Sequence, residues 1–253
     1  MRESARRQYE ARELAPFTLF FHPTDANPYF NYAIPDQPLC DDLDQAALSS
    51  VVDGLRSAYQ QRNLHPRLEF FEAFAPGLPA ILSANDFVEE DRNWCMLCTP
   101  DNLQPASEVD GLEVVRIDGA SPSQDVIDFI TAQRQGFNPA DVSTPSAAAI
   151  QSAQRDFGEH GWTGFLARVA GEPAGAAVCS RPLGGVSEIA GVATRLTFRG
   201  RGIASHLTSA ATIDAFGRGV QTACLSAEDE RAGRVYQRLG YKPFSILMAY
   251  RAG

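Results

Sequence analysis

The chain has 253 residues, 44% of them hydrophobic, with a formal net charge of −9 and a pI of about 4.9. That length can bury one large core or two modest ones. The acidic balance excludes general attraction to nucleic acid or to an anionic membrane surface. No apolar run approaches the roughly 18–20 residues needed to cross a bilayer. The start Met1-Arg2-Glu3-Ser4-Ala5-Arg6-Arg7 has no apolar stretch after it and is not expected to act as a secretory signal. Five cysteines, an odd number, sit mostly among apolar neighbours. Cys95-Met96-Leu97-Cys98 has redox-motif spacing inside an apolar extended run, so buried thiols in a reducing cytoplasm are the expectation.

In chain order, residues 43–61 read as a helix, 68–74 as a strand, 78–84 as a helix and 94–98 as a strand. A break without periodicity comes next, where Pro100, Asp101, Asn102, Pro105, Asp110 and Gly111 cluster. It divides the chain into an N-terminal domain over 1–105 and a C-terminal domain over 112–253. Residues 112–117 are strand-like, and 123–135 carry Val126, Ile127, Phe129 and Ile130 at helical spacing. Pro145 opens a second helix running to about Phe157. Residues 165–169 and 174–180, around Gly171, form a hairpin, and 186–194 is the next strand. Gly202 opens a helix with Ile203, Leu207, Ala210 and Ile213 along one face, ending near Gly217 or Gly219. A strand over 220–226, a helix over 231–239 closed by Gly240, and a strand over 244–250 complete an α/β mixed sheet. The helix–strand–helix–strand order of the first half repeats the back end of the second, with Asn85-Asp86-Phe87 in the place of Gly240-Tyr241. This is a likeness of pattern, without a fixed period.

The most informative stretch is the strand Val186 to Thr194 with the turn just after it, Arg199-Gly200-Arg201-Gly202-Ile203-Ala204. A glycine-rich turn entering a helix presents unpaired backbone N–H groups at the positive end of the helix dipole. Arg195, Arg199 and Arg201 add positive charge on an acidic background. The combination suits a pyrophosphate. Farther on come Ala232, Tyr236, Gly240 and Tyr241 in a helix that ends in Gly and an aromatic. Through these two elements, in this order, residues 112–251 resemble the GNAT N-acetyltransferase superfamily, whose signature is Gln or Arg, two residues, Gly, one residue, then Gly or Ala. Leu196 stands where relatives often carry proline.

The resemblance implies acetyl-CoA as acyl donor and a primary amine, on a small molecule or a peptide, as acceptor. The pyrophosphate would lie against Arg199, Gly200, Arg201, Gly202, Ile203 and Ala204, and the pantetheine arm would pair with main-chain groups of Val192, Ala193 and Thr194 as an added strand. The family's β-bulge would fall at Gly191. Glu188 takes the place of the carboxylate base that frees the amine of its proton, and Tyr236 that of the acid that protonates the leaving thiolate. A backbone N–H at or next to Val192 would meet the oxyanion. Asp229 lies where relatives often have an asparagine that contacts cofactor or tyrosine, and a helix N-cap is its preferred reading. A non-catalytic acyl-CoA sensor is the alternative, against which Glu188 and Tyr236 weigh.

Other chemistries fit less well. His22, His65, His160 and His206 share no metal-ligand spacing, so no metal is expected. A dinucleotide fold would need a third glycine at Ser205 and more chain than the about 25 residues after Glu228. Ahead of the first helix, Pro38-Leu39-Cys40-Asp41-Asp42 has no arginine or paired glycines. The N-terminal half therefore reads either as a degenerate GNAT-like copy without a cofactor loop or as an unrelated cap.

Overall fold

The computed structural model describes residues 5–6, 9–23, 25–39 and 45–252. The turn drawn at 38–42 and the start of the helix drawn at 43 therefore lie partly outside the described residues. The chain forms two compact units, Met1–Cys95 with Phe244–Gly253, and Met96–Pro243. The boundaries between them fall after Cys95 and after Pro243. No helix among the described residues is long and apolar enough to cross a membrane.

The first unit contains β1 (Glu10–Leu14), β2 (Phe17–Phe21), β3 (Tyr32–Pro35), α1 (Gln45–Gln60), β4 (Arg67–Phe71), α2 (Leu78–Ala84) and most of β5 (Phe87–Cys98). The chain's last strand, β11 (Lys242–Ala252), reaches this unit and pairs antiparallel with β4 from Leu247↔Phe71 to Arg251↔Arg67. The strand order is β1-β2-β3-β4-β11-β5. Phe17, Leu19, Phe21, Leu68 and Phe70 face Leu55 and Tyr59 of α1 and Leu78 and Leu82 of α2 in one core. Strands β1 to β3 escaped the sequence reading for a physical reason. β2 is buried at every position and β1 is mostly exposed, so neither alternates.

In the second unit the elements are β6 (Leu112–Ile117), α3 (Ser123–Phe137), α4 (Ala147–Gly158), β7 (Thr163–Val169), β8 (Glu172–Cys179), β9 (Val186–Thr194), α5 (Ile203–Gly217), β10 (Thr222–Ala227) and α6 (Glu230–Arg238). Their strand order is β10-β9-β8-β7-β6, antiparallel except for the parallel pair β9–β10. Ala170 and Gly171, both at positive φ, close the β7–β8 hairpin. The Ser146 hydroxyl caps α4 by accepting from the Ala149 N–H at 3.2 Å. Helices α3 and α4 share a core with the sheet through Ile117, Phe129, Phe157 and Leu166, with the rings of Phe129 and Phe157 edge to face at 5.3 Å. Helix α5 buries Ile203, Leu207, Ala211 and Ala215 at four-residue spacing. Ile213, expected on that stripe, is 58% exposed, because the helix seats through a row rotated away from it.

After α6 the chain turns at Gly240, whose φ is +93°. A Cβ there would overlap the Asn102 carbonyl, and the Gln104 N–H donates to the Leu239 carbonyl at 3.0 Å. Gly240→Ala is expected to cost about 1–2 kcal/mol for the left-handed backbone and about 1–3 more for the overlap. Gly171→Ala, also left-handed but with nothing within 4 Å, meets only the first cost. Urea unfolding of both variants checks this; equal midpoints would remove the packing contribution.

Candidate active site

Between β8 and β9 the register runs Val178↔Ala190, then Ala176↔Ala193. Gly191 and Val192 thus lie opposite the single residue Ala177, which is a β-bulge. Gly191 takes φ +59°, a conformation other residues adopt at a cost. Among the described residues, the β9–β10 ladder covers Val186↔Thr222 to Glu188↔Cys224 and stops there. The stretch from Ile189 to Thr194 therefore leaves β10 and keeps a main-chain edge for another partner. Thr194 adds a buried hydroxyl oxygen with no hydrogen-bond partner.

At the end of β9 a 3-10 turn, Leu196–Phe198, buries Phe198 and leads to Arg199. Gly200 and Gly202 come next at φ +78° and +83°. Gly202 is the N-cap of α5 and gives it no side-chain capping bond, in contrast to Ser146 and Asp229 on their helices. The first intrahelical bond is that of the His206 N–H to the Gly202 carbonyl, 3.2 Å. The N–H groups ahead of it have no partner within the helix and point along the positive end of its dipole.

The arginines of this turn are largely engaged by the protein. Arg199 donates to the Thr194 carbonyl at 3.1 Å and to the Gly136 carbonyl at 2.7 Å. Arg195 donates to the Pro173 carbonyl. The Arg195 and Arg201 guanidinium groups lie 5.6 and 5.4 Å from the Phe198 ring centroid. Their charge still adds to the positive field at the turn, beside the backbone N–H groups of the helix start.

Glu188 is exposed on β9 at the last rung before the strands part. Its backbone is pinned, since its N–H donates to Ser180 Oγ at 2.8 Å and its carbonyl accepts from the Ser180 N–H at 2.8 Å. Tyr236 is on α6, which packs against α5 and β10. Burial raises the Tyr236 phenol above the usual value near 10. Its ring is edge-on to that of Tyr241 at 6.3 Å, and the Tyr241 and Thr212 hydroxyls meet at 2.6 Å, tying the end of α6 to α5. Asp229 accepts from the Ala232 N–H at 2.7 Å as the N-cap of α6. Among the described residues, no group of three or more His, Cys, Asp or Glu could hold a metal ion.

A family model described as the acetyltransferase (GNAT) family matches residues 127–241, which hold β9, the glycine turn, α5 and α6. Residues 127–241 are a GNAT domain. The whole chain shares the fold of solved GNAT proteins. A GCN5-related N-acetyltransferase from Kribbella flavida superposes with a TM-score of 0.80 at 21% identity, covering 99% of this chain and 91% of that one. One from Sphaerobacter thermophilus gives 0.71 at 18% identity, with 99% and 85% covered. A tandem GNAT protein from the clavulanic acid biosynthesis pathway gives 0.66 at 15%, with 93% and 78% covered. The N-terminal half is thus included in the likeness to GNAT structures. No curated protein matches the chain.

Two features of the GNAT domain were not read from the sequence. Gln133 Nε2 on α3 donates to the Gly191 carbonyl at 3.1 Å, and Gly136 lets α3 approach β9 so closely that a Cβ would stand 2.7 Å from that of Ala193. A glycine inside a helical pattern was the available signal for the second. Arg199→Ala would leave the Gly136 and Thr194 carbonyls without these donors and is expected to cost about 1–2 kcal/mol. Arg201→Ala removes a ring contact worth about 0.5–1 kcal/mol. Melting curves compare the two, and a shift for Arg199→Ala no larger than for Arg201→Ala would remove its bracing role.

Proposed function

We propose that the chain is an N-acyltransferase that takes an acetyl group from acetyl-CoA to a primary amine of a small molecule or peptide. The observation that carries this reading is the continuous path from the free edge of β9, past the buried Thr194 hydroxyl, to an uncapped helix start behind two left-handed glycines. That path fits a long amide-bearing arm with a diphosphate at its end. Main-chain groups of Val192, Ala193 and Thr194 would hold the arm, and those from Gly200 to Ala204 the diphosphate. Acetyl-CoA supplies the thioester that the amine attacks.

The protein's part is proton management and orientation. A protonated amine has no lone pair, so Glu188, directly or through a water, takes its proton. Tyr236 gives a proton to the departing sulfur. Burial favours the neutral phenol, so Tyr236 keeps its proton up to and beyond its ordinary pKa of about 10 and remains a donor throughout the neutral range. A falling limb of the rate between pH 7 and 9 would therefore belong to another group. The charge of −9 favours cationic amines by weak, screened steering.

The first unit, in this reading, carries no second acetyl-CoA site. Titration calorimetry is expected to give one equivalent of coenzyme A per chain, and two equivalents would overturn the single-site reading. Release of free thiol from acetyl-CoA in the presence of an amine panel tests the activity. Tyr236→Phe is expected to lower kcat about 100-fold or more with unchanged coenzyme A affinity. Gly202→Glu, which sets a carboxylate at the diphosphate turn, is expected to abolish binding. Activity unchanged in both variants would sink the assignment.

A further inference from the structure

The hydrogen bond from Gln133 to the bulge links a helix and a strand 58 residues apart in sequence. Bulges are points where main-chain groups leave the ladder and can be re-aimed. Gly191 has no side chain to fix its own peptide, and its left-handed backbone leaves the next peptide free of the regular pleat. The Gln133 amide instead holds that peptide by its oxygen.

We infer that Gln133 is a positioning residue that sets the Val192 N–H as the donor to the carbonyl oxygen of the acyl thioester. The inference rests on the acyltransferase reading. In a trans peptide the C=O and the following N–H point to opposite sides, and Ala15–Pro16 is the one cis bond among the described residues. Holding the Gly191 oxygen toward α3 therefore turns the Val192 N–H away from that helix. A donor fixed before the reaction needs no reorganisation as charge builds on the oxygen.

The rest of α3 makes the hold a firm one. Gly136, one turn after Gln133, brings the helix against Ala193, and the Arg199 fork joins the Gly136 and Thr194 carbonyls. The helix is thus seated on β9 at the far end of the 191–194 segment. Gln133 reaches the near end from a fixed base. A Cβ at 191 would overlap the Gln133 amide nitrogen, so a side chain there would displace the donor from the Gly191 carbonyl.

The test separates the acyl carbonyl from the rest of the carrier by using two probes, acetyl-CoA and free coenzyme A. Their Kd values are measured by calorimetry on the full chain, on Gln133→Met, which keeps the length but not the donor, and on Gln133→Glu, which presents a carboxylate to the carbonyl. Both variants are expected to weaken acetyl-CoA about three- to tenfold, the worth of one hydrogen bond, with coenzyme A affinity unchanged. In the wild-type chain, the Val192 amide resonance is expected to shift on adding acetyl-CoA and much less on adding coenzyme A. Equal loss for both probes, no loss for either, or equal shifts of Val192 with both would overturn the positioning role while leaving the binding site intact. Failure of the wild-type chain to bind either probe would overturn the acyltransferase reading, and this inference with it.

Discussion

Opposite Ala177, strand β9 has two residues where a regular ladder allows one, and the geometry of the GNAT domain depends on this mismatch. A regular strand would present all its groups to β8 and β10. With the extra residue at Gly191–Val192, β9 keeps its pairing to β8 on both sides of the bulge while its pairing to β10 stops at Glu188. The parting of the strands exposes main-chain groups that would otherwise be consumed by the sheet, and an exposed edge is a site for an added strand. The same step leaves Glu188 at the apex of the opening. One irregularity thus creates the edge and the position of the carboxylate together.

The turn into α5 uses a different resource. Two left-handed glycines bring the chain round to the helix without a capping side chain, so the helix start keeps its donors. In the sequence, the arginines beside it stand out as positive charge for an anion. In the fold Arg199 works inward, joining the ends of β9 and α3. A guanidinium with its fork committed to two carbonyls is a brace that also carries charge. The braced arginine contributes positive field at the turn without having to move.

Much of this was legible in the sequence, because punctuation and periodicity agree where the elements are amphipathic. β6 and β9 have the bounds that alternation and flanking glycines suggested, and α5 begins at the residue after Gly202. Legibility failed where burial is two-sided or absent. β2 has no polar face, and β5 begins at Phe87 with the polar run Glu89-Glu90-Asp91-Arg92, which conceals a strand whose charges are paired. Gln133 was invisible for another reason. Its significance is a contact with a carbonyl 58 residues away, and no local spacing encodes that. The bulge at Gly191, by contrast, was expected because the family resemblance implies one in this strand, and glycine adopts the φ of +59° found there without strain.

The first unit surrounds its own parallel strand pair with a different set of groups. Its β3–β4 pair is also parallel, with the register Ala33↔Leu68, as β9–β10 is in the second unit. Next to that rung, Arg67 is only 2% exposed and is bound by Glu69, by Glu90 at 2.6 Å and by Asp91 at 3.4 Å, with the Tyr29 ring 4.7 Å from its guanidinium. Burial pushes the Glu69 carboxyl upward, with Arg67 opposing the shift. A buried charge needs every such partner, since losing one leaves the others uncompensated. This network therefore keeps its charges paired side chain to side chain. Around the parallel pair of the first unit the charged side chains engage one another, whereas beside that of the second the β9 bulge leaves main-chain groups outside the ladder.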